Sequence, residues 1–228
     1  MIQTRGLCYR YPGGGELRFP DVDVPHGAVL LLSGPSGSGK STWLALVAAL
    51  VAPSAGTLHV ADQAMGDLRG ATADAWRAAH IGFLPQKLHL SAALTVQQNL
   101  AMAQWAAGRA EDKARIHATL QALGVAELAG RLPHQLSGGQ AQRVALARAV
   151  LLKPRGVLAD EPTASLDDEA AAQAVQLLHT TAQQHGATLV IATHDARVAS
   201  LLSAPEAGGL GQIGFSRLSL AREQLSKS

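Results

Sequence analysis

The sequence predicts an α/β protein on a mostly parallel sheet, with a small antiparallel β layer beside it and an α-helical subdomain inserted into it. Three observations carry that prediction. A strand-like apolar run, a glycine loop and a helix start follow one another at residues 28–50. Apolar strands alternate with a helical pattern again from residue 156 to 194. Between these two stretches, from about 91 to 152, the periodicity is helical alone. Strands alternating with helices favour parallel pairing, whereas a long helical stretch within such a chain reads as an insertion.

With 228 residues there is room for one large domain carrying a subdomain. We expect a single domain over 1–228. Residues 1–30 and about 56–65 would form the antiparallel layer, and about 28–90 with 153–202 the core. Residues 91–152 would form the helical subdomain, and 203–228 a tail with weak periodicity and many Gly and Ser.

In chain order, Ile2 to Tyr11 reads as a strand, Pro12 to Gly15 as a turn, and Leu17 to Val24 as a second strand. Ala28 to Leu32 is an apolar run suited to a buried parallel strand, and Ser41 to Leu50 reads as a helix stopped by Pro53. A strand pair is expected around Gly56–Val60, then a helix over Ala73–Ala79 and a strand over Ile81–Leu84. In the helical stretch, Thr95 can cap a helix carrying Val96, Leu100 and Trp105. Ile116, Leu120 and Leu123 repeat at helical spacing before Gly124, and Ser137 can cap a helix from Gln140 to Leu152. Gly156–Asp160 is a strand, Asp167–Gln184 a helix with acids in its first turn and Gly186 at its end, and Thr188–Thr193 the next strand.

Residues Gly34, Pro35, Ser36, Gly37, Ser38, Gly39, Lys40, Ser41 and Thr42 fit G-x-x-x-x-G-K-[ST] at every required position. The strand before and the helix after supply the context the motif needs. Glycines let consecutive backbone N–H groups turn inward, and the helix start adds partial positive charge. Lys40 would reach the outer phosphates of a nucleoside triphosphate, and the Ser41 hydroxyl would ligate Mg²⁺. Asp160 and Glu161 follow a core strand, at the end where ligands of parallel sheets bind. Asp160 suits the Mg²⁺ shell. Glu161 suits a base, or a residue that orients the water attacking the γ-phosphate. Leu136-Ser-Gly-Gly-Gln140 is a second anion-binding helix start or else a plain capped helix. One nucleotide does not need two such cradles from one chain, so using both calls for a second copy.

Bulk properties agree with a globular protein: 47% apolar, 16% charged and a net charge of +2. No Lys/Arg cluster suggests a nucleic-acid face. Cys8, the single cysteine, excludes an intramolecular disulfide, fits a reducing cytosol and reads as a strand residue. No secretory signal is visible, and the longest apolar run, Trp43 to Ala52, is far shorter than a membrane span. Any membrane role is expected to come through a partner.

GPSGSGKST at 34–42, Gln86, LSGGQ at 136–140, LADEPTASLD at 158–167 and ATHD at 192–195 occur in the order found in ABC-type ATPases. The resemblance covers roughly residues 1–200 and implies a P-loop NTPase core of RecA-like fold that binds ATP and Mg²⁺. It further implies that Tyr11, or Tyr9 on the same strand face, stacks on adenine. Gln86 resembles the loop glutamine that touches Mg²⁺ or the attacking water. Ser137, Gly138 and Gly139, with Gln140, resemble the signature that binds the γ-phosphate held by the opposite subunit. Ser165-Leu-Asp167 resembles the loop crossing the dimer interface, and His194 the switch histidine on the γ-phosphate. The other eight histidines fit no such set and read as surface or loop residues.

Within the family, ADEPTASLD and the LTVQQNL stretch are similar to the branch of lipoprotein-releasing ATPases, MacB-type exporters and the FtsE division protein. The resemblance implies a head-to-tail homodimer at the inner face of the cell membrane, cytoplasmic and peripheral, held there by a transmembrane permease. A regulatory ATPase that moves a membrane partner and transports nothing is the alternative. Leu88 and Leu90 would either line a groove for the partner or pack in the insertion. The family usually continues past His194 with an Ala-Asp-Arg segment and a strand ending in Asp-Gly. This chain has Ala199-Ser-Leu-Leu-Ser-Ala-Pro-Glu-Ala-Gly-Gly209 instead.

Overall fold

The computed structural model describes residues 1–164, 166–203 and 215–220. Ser165 of the interface loop, Ala204–Gly209 and most of the expected tail therefore lie outside the described residues.

A five-stranded parallel sheet forms the centre. Its strands are β4 (Val29–Ser33), β7 (Ile81–Leu84), β8 (Gly156–Asp160), β9 (Thr188–Thr193) and β10 (Phe215–Ser219), in the order β10-β4-β9-β8-β7. Both faces are covered, which is why β4, β8 and β9 read as nearly unbroken apolar runs. Successive side chains alternate between faces. Val29, Leu31, Val157, Ala159, Leu189 and Ile191 pack in one core, whereas Leu30, Leu32, Leu158, Val190 and Ala192 pack in the other.

The second core is closed by the antiparallel layer. There β1 (Ile2–Arg10) pairs with β2 (Glu16–Arg18), β3 (Val22–Val24) and β5 (Ala55–Val60), and β5 pairs with β6 (Gln63–Ala64). The single strand expected over Leu17–Val24 is two. Pro20 has no N–H to give to a ladder, so β2 pairs the far end of β1 (Cys8↔Arg18) and β3 the near end (Ile2↔Val24). Cys8 lies in β1 as expected. α1 (Lys40–Val47) packs against this layer and stops earlier than expected, because Ala49 adopts a left-handed backbone at φ 53°. α2 (Gly70–His80) follows.

The other core is covered by α3 (Val96–Ala106), α4 (Lys113–Ala122), α5 (Gly138–Val150), α6 (Asp168–Gln184) and α7 (Ala196–Ser203). Thr95 and Gln98 cap α3 reciprocally. Val96 and Leu100 are buried, but Trp105 is 50% exposed. It stands nine residues beyond Val96, half a turn away from the apolar stripe. Leu88 and Leu90 pack against the helical core. Of the histidines expected at the surface, His179 on α6 is instead buried, with Nε2 lacking a hydrogen-bond partner.

Register then positions the site. Ser33 pairs with Thr193, Asp160 with Ala192 and Ala159 with Leu84. The residues leaving these strands, Gly34, Glu161, His194 and Pro85, therefore emerge along one edge, at the carboxyl ends where parallel sheets bind ligands. The strand β10 lies within the stretch expected to be a tail and pairs with β4 from Phe215↔Val29 to Ser219↔Ser33.

Candidate functional site

Residues 34–39 turn from β4 into α1 through close backbone approaches. A Cβ at Gly34 would stand 2.5 Å from the Leu220 carbonyl oxygen, and one at Gly39 would stand 2.7 Å from Leu17 Cδ1, at a φ of 92° that side chains avoid. Gly39 is the N-cap of α1 and no side chain caps that end. The first-turn N–H groups of α1 remain available to an anion. Ser36 and Gly37 are exposed, while Ser38 and Lys40 are buried at 5%. Lys40 Nζ donates to the carbonyls of Gly34 at 2.9 Å and Pro35 at 3.2 Å, and stands 3.3 Å from Glu161 Oε1.

Glu161 is the hub of the strand-end cluster. Its backbone N–H donates to Ala192 at 2.8 Å, and its φ is 48°, a left-handed value that a glutamate holds only when its surroundings impose it. Oε2 accepts from the Thr193 hydroxyl at 2.8 Å and from the His194 N–H at 3.3 Å, and Oε1 lies 2.8 Å from His194 Nδ1. Burial raises the Glu161 pKa, but the bonds from His194 and Thr193 and the charge of Lys40 outweigh it and leave the carboxyl below its ordinary value. Glu161 is thus an ionised acceptor surrounded by Thr193, His194 and Lys40.

Asp160, one residue earlier, shows the opposite balance. Burial raises its pKa, the Ser41 hydroxyl lowers it, Glu161 raises it and Lys40 lowers it, with a net rise. Its Oδ1 is buried without any hydrogen-bond partner. An orphaned carboxylate oxygen beside a serine hydroxyl is the hard-oxygen donor set that suits Mg²⁺. Among the described residues no cluster of three His, Cys, Asp or Glu exists. A metal here would therefore take its remaining ligands from phosphate and water.

Tyr11 is 39% exposed, and its hydroxyl shares a hydrogen bond with the Thr42 hydroxyl on α1. The Tyr9 ring stands edge-on to it at 5.1 Å and packs against the buried core, so Tyr11 is the more accessible of the two. Gln86 is exposed just after β7. Ser137 caps α5: its Oγ accepts from Gln140 N–H at 3.3 Å, and Gln140 Oε1 accepts from Ser137 N–H at 2.9 Å. Ser137, Gly138 and Gly139 are exposed. Asp167 caps α6 through the Ala170 N–H at 2.8 Å and is exposed.

The structure therefore gathers Lys40, Ser41, Asp160, Glu161 and His194 into one cluster, with Tyr11 tied to its rim through Thr42. Gln86, Ser137–Gln140 and Asp167 have no direct bond to that cluster among the described residues. Three further contributors went unread in the sequence. Thr193 fixes Glu161, and its place directly before His194 was the available signal. Arg217 on β10 donates to Ser33 at 3.2 Å and lines a cavity of about 210 Å³ with Gly34, Pro35, His194 and Asp195. Arg197 grips both oxygens of Asp195, which also accepts from Thr163 at 2.9 Å; together these bonds hold the Asp195 carboxyl down to about 2.

Residues 17–164 match the ABC transporter family. The chain is 37% identical over 212 residues to the lipoprotein-releasing system ATP-binding protein LolD of Idiomarina loihiensis, covering 90% of this chain and 93% of that one. It is 36% identical over 205 residues to the macrolide export ATP-binding/permease protein MacB of Rhodopseudomonas palustris, covering 87% of this chain and 31% of that one. Among solved structures, the dimeric bacterial ABC transporter cassette MJ0796 superposes with a TM-score of 0.79 at 29% identity, covering 98% and 97% of the two chains. Its dimeric post-hydrolysis state bound to ADP and Pi gives 0.79 at 28% identity over the whole of both chains.

Proposed function

The chain belongs to the ABC transporter family as one of its ATP-binding cassettes, and from that premise we propose that it works as a head-to-tail homodimer driving a transmembrane permease. Each ATP is held between the phosphate loop of one copy and the signature of the other. The observation that carries this reading is the split site. Lys40, Glu161 and His194 satisfy one another within a single copy, while Ser137, Gly138 and Gly139 face outward from a capped helix start.

In this reading, Gly34, Pro35, Ser36, Gly37, Ser38, Gly39, Lys40, Ser41 and Thr42 cradle the phosphates, with Tyr11 against the adenine. Lys40 leaves the Gly34 and Pro35 carbonyls for the outer phosphates. Glu161 accepts the proton of the attacking water, and His194 donates toward the γ-phosphate. Ser41, Asp160 and Gln86 would hold Mg²⁺, which supplies neutralisation of the phosphate charge. The signature, ending at Gln140, reaches the partner's γ-phosphate, and Asp167 lies at the interface.

Movement has a physical route to a membrane partner. Arg148, near the end of the signature helix α5, donates to the carbonyls of Leu88 at 2.7 Å and His89 at 2.8 Å, in the loop that follows Gln86. Gln142 of the same helix donates to Pro162 at 2.8 Å, next to Glu161. No helix among the described residues is long and apolar enough to cross a membrane. A permease would then hold this chain at the inner membrane face. The names of its relatives point to a lipoprotein or a macrolide, and the exported cargo in this reading is a lipoprotein, a lipid or a drug.

The test is affinity capture of Glu161→Gln with ATP from gently solubilised membranes. Co-purification of a permease with a large extracytoplasmic domain supports transport or extraction. A small division-type membrane protein points to regulation of a partner without transport. Recovery of soluble proteins alone, from a preparation shown to be ATP-bound and dimeric, overturns the membrane coupling.

A further inference from the structure

Glu161 and His194 leave neighbouring strands, and past that point the two loops are joined mainly by side chains. Asp195 Oδ2 accepts from the Thr163 hydroxyl at 2.9 Å. The Arg197 guanidinium takes Asp195 at 2.9 Å through Nε and 2.8 Å through a terminal nitrogen. Its remaining N–H groups reach Asp168 and, at 3.4 Å, the Leu166 carbonyl. One planar fork thus bonds to the segment after His194 and to both sides of Asp167.

The outer arm of this network, from Arg197 to Asp168, is badly placed for stabilising the fold. The Arg197 side chain is 40% exposed and that of Asp168 90% exposed, and such pairs gain little over hydration. A guanidinium with five donors has its geometry as its main asset. Here that geometry spans two loops whose mutual placement the backbone leaves largely open, since among the described residues the Glu161 N–H to Ala192 is the strand-end backbone bond between them.

We propose that Arg197 is a positioning residue that clamps the loop carrying Glu161 and Asp167 to the loop carrying His194. The phosphate-facing histidine and the interface-facing aspartate then move as one body. The inference rests on the dimeric hydrolysis read above. Among the described residues Arg197 bonds to Asp195, Asp168 and Leu166 and to none of Lys40, Ser41, Asp160, Glu161 or His194. It acts through Asp195 and Asp168, so its loss leaves the phosphate cradle intact and misplaces the residues that must meet across the dimer.

The experiment compares Arg197→Ala, Arg197→Lys, Asp168→Asn and the Arg197→Ala/Asp168→Asn pair with the wild-type chain. It measures ATP affinity of the monomer, kcat and KM, and the thermal midpoint. Arg197→Ala is expected to lower kcat on the order of ten- to a hundredfold, with monomer affinity unchanged and the midpoint within a few degrees. Asp168→Asn should lower kcat about threefold. The pair should be no worse than Arg197→Ala alone, because both changes break the same clamp. Arg197→Lys keeps the charge but not the fork, and should restore only part of the rate. A wild-type kcat in Arg197→Ala, additive losses in the pair, or a loss confined to monomer affinity overturns the clamp. If the wild-type chain itself fails to hydrolyse ATP, the dimeric reading has failed instead, and the two failures are told apart by that one control.

Discussion

The phosphate loop and the signature loop are both helix starts led by small residues, yet they are finished in opposite ways. At α1 no side chain caps the helix, and the lysine that begins it is buried among carbonyls and a glutamate. At α5 Ser137 and Gln140 satisfy each other's backbone N–H groups, and the residues stay exposed. An uncapped start leaves orphan donors that an anion must satisfy. A capped start is stable by itself and can be presented to solvent. In the proposed dimer the first would be a receptor shaped within one chain, and the second a surface offered to another.

Breaking the first half should have the largest effect. Glu161→Gln is isosteric but weakens the acceptor that Thr193 and His194 hold in place. We expect turnover to fall by about 10²–10⁴, with nucleotide binding retained and ATP-bound dimer accumulating in size-exclusion chromatography. Hydrolysis at the wild-type rate would remove Glu161 as the base.

The contrast is sharpened by separating the halves. Lys40→Ala disables the cradle. Gly138→Asp puts a carboxylate on the signature, where an added Cβ meets nothing within 4 Å, so the fold should tolerate it. Each variant alone should lose about 10² or more in rate. Mixed together, they form heterodimers in which one of the two composite sites is intact, so activity should return. A mixture as inactive as its components would mean that both halves act on the same copy's nucleotide.

The smallest effect concerns pH. A carboxyl whose folded pKa is depressed stays ionised above its ordinary value and is lost only as pH falls through the lower one. The acid limb of the rate attributable to Glu161 should therefore lie below the ordinary glutamate value of about 4.3. The residual activity of His194→Ala should show that limb moved upward, since a hydrogen bond that favours the charged form is gone. An unmoved limb would assign the titration to another group.

The same contrast explains what could be read from the sequence. β8 and β9 were legible to the residue because buried parallel strands write themselves as apolar runs, here closed by Asp160 and Thr193. The motif residues were legible because their chemistry is local: a glycine loop, a lysine and a helix start are contiguous. β10 was not, since Phe215–Ser219 turns only Leu218 fully inward and its place comes from pairing with the distant β4. The left-handed backbone of Glu161 left no trace, because glutamate does not favour it and a bond to Ala192 imposes it. Arg197 was invisible for a similar reason: its partner Asp168 belongs to another helix. Trp105 misled because its size suggested a core that its helical phase denies.

The back wall of the phosphate loop comes from far along the chain. Leu220 donates its N–H to Ser33 at 2.8 Å, and its carbonyl fills the space that any side chain at Gly34 would need. During synthesis, then, the loop emerges early while its supporting wall emerges almost two hundred residues later. A growing chain carries the whole phosphate motif long before it possesses a finished ATP site. Nucleotide can therefore favour the native fold only once residue 220 has emerged, when nearly every other contact of the cassette has already had the chance to form.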